Sequence, residues 1–482
     1  MKYNLPPEQR YQMHNSDYTL HFDSILNSNG KVRFVDRSSN NESTIGITVD
    51  DEDFKFRIWQ EFPSVIADLI DLAVAIYATD RLISHPLDKE QICISVVLPV
   101  RHPELLNTVS FQNKLESLLE WTTGRRWFFD FQRRTASERI VENQQILRMV
   151  PQGCEVALWS GGLDALAGLY TRLQGSDPKP FMLFGTGSNN SVYARQKRVF
   201  KAIEPSFPNR LNLCRVPINF SDSNQYQKNK ISRARGVVFT MLGAACAYLM
   251  GQKELFVYEN GIGAINLPYR KSAVGLDHTR SVNPLTLLRV SDIVSELLGE
   301  EFRVQNPFLF WTKAQMCKAL AEHRRNDLPP LTMSCDSPHR QKPVQCGYCS
   351  SCLLRRQALA ASNMEDKTRY VVLHGKRPVA DPSLYLRNML AQVSTIRSLF
   401  NVSDNPNLRW ENLTRRFFEL DNIVDQTAGT EKLLPVEMQH RLIQLYETYI
   451  AEWDAVESQI SVGLLDWENN RNTSDKRLFA VQ

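Results

Sequence analysis

The stretch Val156-Ala157-Leu158-Trp159-Ser160-Gly161-Gly162-Leu163-Asp164-Ala165-Leu166-Ala167 decides the fold. Its first four residues form a short apolar strand, and Leu163, Leu166, Ala167, Tyr170 and Leu173 then repeat at helical spacing. Ser160-Gly161-Gly162 is the turn between them, where successive backbone N–H groups point at one spot. The two glycines allow positive φ and close approach of the main chain to an anion. The helix start adds unpaired donors and partial positive charge, and Ser160 can donate its hydroxyl to a phosphate oxygen. Asp164 suits a magnesium ligand or a first-turn residue that holds the loop's shape. No Gly-Lys-Ser/Thr follows, so the cradle is not a Walker loop. With residue frequencies near 7%, Ser-Gly-Gly-x-Asp arises by chance in about 1% of chains this long.

Working outward, strands at Phe181–Phe184, Leu213–Pro217 and Leu255–Tyr258 alternate with helices at Val192–Ile203 and Gly236–Met250. Such alternation predicts an α/β fold, a parallel sheet with helices on both faces. Upstream, residues 1–60 read as polar and irregular, with Ser38–Ser43 a loop by composition. Val65–Tyr77 reads as a largely buried helix and Ile92–Leu98 as a strand, an N-terminal α+β module spanning 1–150. The central domain spans 151–362. Residues 363–482 read as a helical module, with helices over Pro382–Phe400 and Pro435–Ile460. The second carries Met438, Leu442, Leu445, Tyr449 and Trp453 on one stripe, and a loose tail follows Asp466.

The 57 basic and 53 acidic residues among 482 leave a net charge of +4, which argues against bulk electrostatic attraction to nucleic acid or a membrane. The first residues lack the basic and apolar regions of a secretory signal. The longest apolar run, Val237–Met250, is too short to span a bilayer. The expectation is a cytoplasmic protein. Of nine cysteines, Cys93, Cys154, Cys214, Cys246 and Cys317 sit among apolar neighbours and read as core residues. Cys335, Cys346, Cys349 and Cys352 form C-x10-C-x2-C-x2-C, with Gly347 easing the turn. Four thiolates with no open position make a structural zinc site. The rival, an iron–sulfur cluster, places a fourth cysteine after the run, and none follows Cys352. His339 lies close in sequence as an alternative ligand. His278 lies in a polar loop where a substrate group can bind, or where a histidine simply hydrogen-bonds.

Both motifs, in this order, resemble QueC, the 7-cyano-7-deazaguanine synthase family of PP-loop ATP pyrophosphatases, over about residues 150–360. Arg235-Gly236 resembles that family's Arg-Asn before a helix. Glu259-Asn260-Gly261 to Pro268-Tyr269-Arg270 stands in place of its nucleobase loop, and Thr312-Lys313 resembles its late Thr-Lys. Ser334-Cys335 and Cys346–Arg355 follow its zinc segment. The resemblance implies that ATP adenylates the carboxylate of a 7-deazaguanine, releasing pyrophosphate, and that an amine nitrogen displaces AMP. It implies ATP binding by Ser160, Gly161, Gly162, Leu163 and Asp164, and catalytic roles for Asp164, Arg235 and Lys313. It further implies substrate contacts from Asn260, Tyr269 and Arg270, and Mg²⁺ and Zn²⁺ as cofactors. The chain departs from the family at Ala165, at Gly185-Thr186-Gly187-Ser188 and within Leu267–Arg270. With its added modules and the stretch Asp71–Arg81, it also resembles enlarged QueC-like proteins of bacterial anti-phage operons, the Qat system and some CBASS operons. For these the implied acceptor is an amine of a partner protein, and the modules dock that partner or simply stabilise or dimerise the chain. Other readings are a free-nitrile synthase, a PP-loop enzyme acting on tRNA, or a silent nucleotide-binding subunit.

Overall fold

The computed structural model describes residues 16–54, 62–83, 92–143, 153–187, 190–221, 232–269, 280–336, 344–372 and 383–461. The first region contains β1 (Tyr18–Phe22), β2 (Lys31–Asp36), β3 (Asn41–Val49), α1 (Ser64–Leu82), β4 (Cys93–Val100), α2 (Pro103–Leu106), α3 (Val109–Thr123) and β5 (Arg126–Arg133). The central region follows with β6 (Glu155–Leu158), α4 (Leu163–Leu173), β7 (Phe181–Gly187), α5 (Asn190–Ile203), β8 (Leu211–Ser221), α6 (Arg235–Leu249), β9 (Glu254–Phe256), α7 (Gly261–Ile265), α8 (Pro284–Leu298), β10 (Arg303–Gln305), α9 (Lys313–Glu322) and α10 (Ser350–Ala361). Four helices close the described chain: α11 (Ser383–Phe400), α12 (Pro406–Arg416), α13 (Glu419–Thr427) and α14 (Pro435–Ser461). The tail after Asp466 lies outside the described residues.

One sheet joins the first two regions, in the order β10-β9-β6-β7-β8-β3-β2-β1-β4-β5. Strands β10, β9, β6, β7 and β8 are parallel. The long β8 pairs with β7 through its first part, then with β3 antiparallel, Val49 opposite Ile218. Strands β1, β4 and β5 are again parallel to one another. The two parallel stretches therefore run in opposite directions, and their carboxyl ends lie at opposite edges. Both faces are covered: Val156, Met182 and Cys214 enter one core, and their neighbours Ala157, Leu183 and Leu213 the other. This is the continuous apolar pattern of a buried parallel sheet.

The reading of residues 1–60 as irregular is corrected by β1, β2 and β3. In β2 the burial alternates, with Val32 and Phe34 inside and Lys31 and Arg33 outside, so polar outward residues conceal a half-buried strand. Two further helices, α12 and α13, join those expected in the C-terminal module. Its core also takes in Ile262, Ile265, Leu309 and Leu353 of the central region.

Helix α1 is buried from Ile66 to Asp80. Asp68 and Asp71 can be inside because arginines meet them. Asp71 pairs with Arg101 at 2.7 Å and with Arg139, Asp68 accepts from the Arg101 and His102 amides at 2.8 and 2.9 Å, and Arg139 reaches Asp51 at 2.8 Å. Removing one partner strands the others in a dry core. Arg139→Ala should therefore cost about 3–5 kcal/mol of folding stability, read from the midpoint of a urea unfolding curve.

Candidate active site

At the carboxyl end of β6 the chain turns through Ser160-Gly161-Gly162 into α4. Gly161 has φ +71°, and a Cβ there would lie 3.2 Å from the backbone of Gln196, so glycine is required on both counts. The Gly162 amide donates to Ser160 Oγ at 3.1 Å. A hydroxyl that accepts in this way keeps its own proton for another partner. On the far side, the Met333 amide donates to the Gly161 carbonyl at 3.3 Å, so the segment leading to Cys335 lies against the loop.

Asp164, in the first turn of α4, is held at both oxygens. Asn260 Nδ2 donates to Oδ1 at 2.9 Å and Lys313 Nζ pairs with Oδ2 at 2.8 Å. Asn260 follows β9 and caps α7, accepting from the Gly263 amide at 2.9 Å. Its second amide proton goes to Glu259 Oε1 at 2.7 Å, so three hydrogen-bonding positions of one asparagine are occupied. Lys313 is the first residue of α9, 5% exposed, and stands behind the Thr312–Gln315 capping box. Burial disfavours its charge, but the Asp164 carboxylate outweighs burial and holds its ammonium above the ordinary lysine range. Glu259 moves the other way for a carboxyl: burial, then the charge of Asp164, push it well above the usual value.

The structure thus gathers Asp164, Asn260 and Lys313 at the loop and adds Glu259. Position alone could have revealed Glu259, since it follows β9 at the carboxyl edge of the sheet. Gln196 is the second unforeseen residue. It is fully buried, its carbonyl accepts from Trp159 Nε1 at 3.0 Å, and its Nε2 donates to the Thr186 carbonyl at 3.4 Å. The signal was there: Gln196 lies on the same helical stripe as Tyr193, Val199 and Ile203, the one polar residue on that face. Arg235 stands apart from Asp164, its guanidinium carbon 4.9 Å from the Phe239 ring centroid. Phe239 abuts Gly187 at the end of β7, 3.6 Å from a Cβ built there. Tyr269 lies toward the cysteines, and burial with nearby Asp336 and Cys349 raises its phenol. Arg270, His278 and His339 lie outside the described residues.

The sulfurs of Cys335, Cys346, Cys349 and Cys352 all lie within 4.8 Å of one another. The Cys346–Cys352 pair is 3.8 Å apart, the edge of a tetrahedron with metal–sulfur bonds of about 2.3 Å. The Cys349 amide donates to Cys346 Sγ at 3.2 Å and the Cys346 amide to Cys335 Sγ at 3.4 Å, the support that thiolate ligands need. The donor set fits one tetrahedral ion such as zinc. Each oxygen of Asp164 has one partner, Asn260 or Lys313, which ties the first turn of α4 to the α7 turn and to α9.

Fully buried Arg355 ties the cysteine segment to the loop. It donates to Thr332 Oγ1 at 2.6 Å, Thr368 Oγ1 at 2.9 Å and Tyr370 Oη at 3.2 Å, and also to the Pro329 carbonyl. Residues 329–333 carry this hold to Gly161.

Residues 215–363 match the model of the family "Queuosine biosynthesis protein QueC". The chain is QueC-like. It is 30% identical over 137 residues to the 7-cyano-7-deazaguanine synthase of Pseudomonas fluorescens (strain Pf0-1), covering 28% of this chain and 55% of that protein. Those of Pseudomonas aeruginosa (strain LESB58) and Pseudomonas putida (strain W619) are also 30% identical over 137 residues, with 57% of each covered. The chain therefore spans about half the length of these curated relatives. The family match takes in Glu259, Asn260, Lys313 and the four cysteines, while Ser160–Asp164 lies before it. Among the described residues, no helix of this QueC-like chain is long and apolar enough to cross a membrane.

Two measurements probe this geometry. The folded chain holds a proton on Glu259 to higher pH than the unfolded chain, where a glutamate titrates near about 4.3. That contribution is fully present below the unfolded value and is lost as pH rises through the folded one. Glu259→Gln removes the loss, so its melting temperature should gain on wild type as pH rises above that unfolded value, followed by differential scanning fluorimetry. Elemental analysis should find one zinc ion per chain. Cys352→Ser should release it and, through Met333, increase amide exchange at Gly161 and Gly162.

Proposed function

We propose that this QueC-like chain uses ATP to adenylate the carboxylate of a 7-deazaguanine and passes the acyl group to an amine nitrogen, releasing pyrophosphate and AMP. What carries the reading is the pairing of a glycine turn with a lysine fixed by Asp164 at one strand end. Pyrophosphate leaves with growing negative charge, and donors already in place stabilise it without reorganising. The Gly161–Gly162 turn and the start of α4 supply N–H groups, Ser160 its hydroxyl, and Lys313 the fixed positive charge. Magnesium arriving with the nucleotide neutralises phosphate charge, and no residue role here depends on it. Zinc, held by the four cysteines, serves as a structural ion that braces the loop. Asn260, Tyr269 and Arg270 are proposed as the deazaguanine-binding residues, and Arg235 is proposed to add positive charge beside β7.

The acceptor is proposed to be an amine of a partner protein encoded in the same anti-phage operon. The N-terminal region offers a route to that role, because Asp80 of α1 accepts from the Ala234 amide at 3.0 Å and so sets the start of the helix bearing Arg235. A free nitrile formed with ammonia is the alternative product, and a tRNA acceptor or a silent subunit the more distant ones.

The decisive assay is release of AMP and pyrophosphate from ATP, with and without 7-carboxy-7-deazaguanine. Wild type should be stimulated by the deazaguanine, and Lys313→Ala should lose about 10²–10³-fold in kcat. Stimulation only by tRNA would favour the tRNA reading, and equal silence of wild type and Asp164→Ala the subunit reading. Mass spectrometry of co-expressed operon proteins should then show a deazaguanine adduct.

A further inference from the structure

The two groups that hold Asp164 rest on the same helix. The Asn260 turn is continued by Gly261, whose amide donates to the Trp311 carbonyl at 2.8 Å. A Cβ on Gly261 would lie 2.7 Å from Leu445 Cδ2 of α14, so the turn is pressed against that helix. Lys313 starts α9 behind Thr312, which is 1% exposed. The Thr312 hydroxyl accepts from the Gln315 amide at 3.1 Å and donates its single proton to Glu452 Oε1 of α14. The other Glu452 oxygen accepts from Gln357 Nε2 at 3.0 Å. Leu445, Tyr449 and Glu452 are spaced i, i+4, i+7, one face of α14.

A hydroxyl has one hydrogen, so what receives it decides where its lone pairs face. With Glu452 taking the proton, the Thr312 lone pairs turn to the first turn of α9 and the cap is fixed in one arrangement. We infer that Glu452 is a positioning residue for the reaction proposed above: through Thr312 it sets the start of α9 and hence the place of the Lys313 ammonium on Asp164. The inference rests on that functional reading for its kinetic part alone. Glu452 lies beyond the region that matches QueC, on the C-terminal module, so the module is part of the site's construction.

The neutral isostere provides an internal control. Gln357 Oε1 is buried without a hydrogen-bond partner. In Glu452→Gln, a flip of the Gln357 amide lets that oxygen accept from the new amide, while the other end still accepts from Thr312. Glu452→Ala offers nothing. Met438→Ala, fully buried in the same module and remote from Thr312 in sequence, controls for loss of stability.

The test measures pyrophosphate release together with amide exchange by mass spectrometry on the full chain. Glu452→Ala should lower kcat about 10- to 100-fold, with KM for ATP within about threefold because the change acts on the lysine and leaves the Ser160–Gly162 donors as they are. Glu452→Gln should recover most of the rate, and Met438→Ala should stay near wild type at a similar fall in melting temperature. Exchange at residues 313–317 should rise in Glu452→Ala alone. Equal slowing by Glu452→Ala and Met438→Ala, or a wild-type rate in Glu452→Ala, overturns the inference. If wild type releases no pyrophosphate with any acceptor, the functional reading fails instead, and exchange decides: unchanged protection at 313–317 in Glu452→Ala overturns the positioning role, and raised protection loss there upholds it.

Discussion

The carboxylate of Asp164 has its two oxygens engaged by two different parts of the chain, Asn260 after β9 and Lys313 at the start of α9. A charge so nearly enclosed, 13% exposed, is tolerated only while both partners stay in place, because an unmatched buried carboxylate costs several kcal/mol. That constraint links the start of α4, the α7 turn and α9, and through them places the glycine turn, the lysine and Glu259 around one point. Neither Asn260 nor Lys313 can drift without exposing or stranding the others.

Around this point the fold adds two braces of different chemistry. The cysteine segment reaches Gly161 through residues 329–333 and the buried guanidinium of Arg355. The C-terminal helix reaches Gly261 by packing and Thr312 by a hydrogen bond. Pre-organised donors serve a developing charge only if their own supports are rigid. Here a four-sulfur cluster and a 27-residue helix supply that rigidity, and Gln357 of α10 joins the two by donating to Glu452.

Much of this was legible in the residues. The α/β alternation, the glycine turn, the four-cysteine spacing and the buried α1 could be read directly, because each is a local pattern with a short period. Strands β1 to β3 escaped notice because their outward positions are charged or polar, as in Lys31-Val32-Arg33-Phe34. Their place in the same sheet as β6 depends on a pairing between Val49 and Ile218 that no local pattern announces. Glu259 and Glu452 were missed for the same reason. Each gains its meaning from a partner across the fold: Asp164 for one, Thr312 for the other. The three-dimensional proximity of Asp164, Asn260 and Lys313 was likewise not in the spacing, which only marked them singly.

The pairing of β3 with β8 also has a consequence in time. A ribosome delivers Val49 long before Ile218, roughly 10–30 s earlier at ordinary elongation rates of about 5–20 residues per second. Throughout that interval the side of β3 destined for β8 is an open edge, the kind of surface on which chains stick to one another. The part that waits for β8 is short, Gly46–Val49, and in it the apolar Ile47 and Val49 alternate with Gly46 and Thr48. The sheet is continuous in the finished molecule, but during synthesis its midline stays open until β8 emerges, and β9 and β10 join the far edge later still.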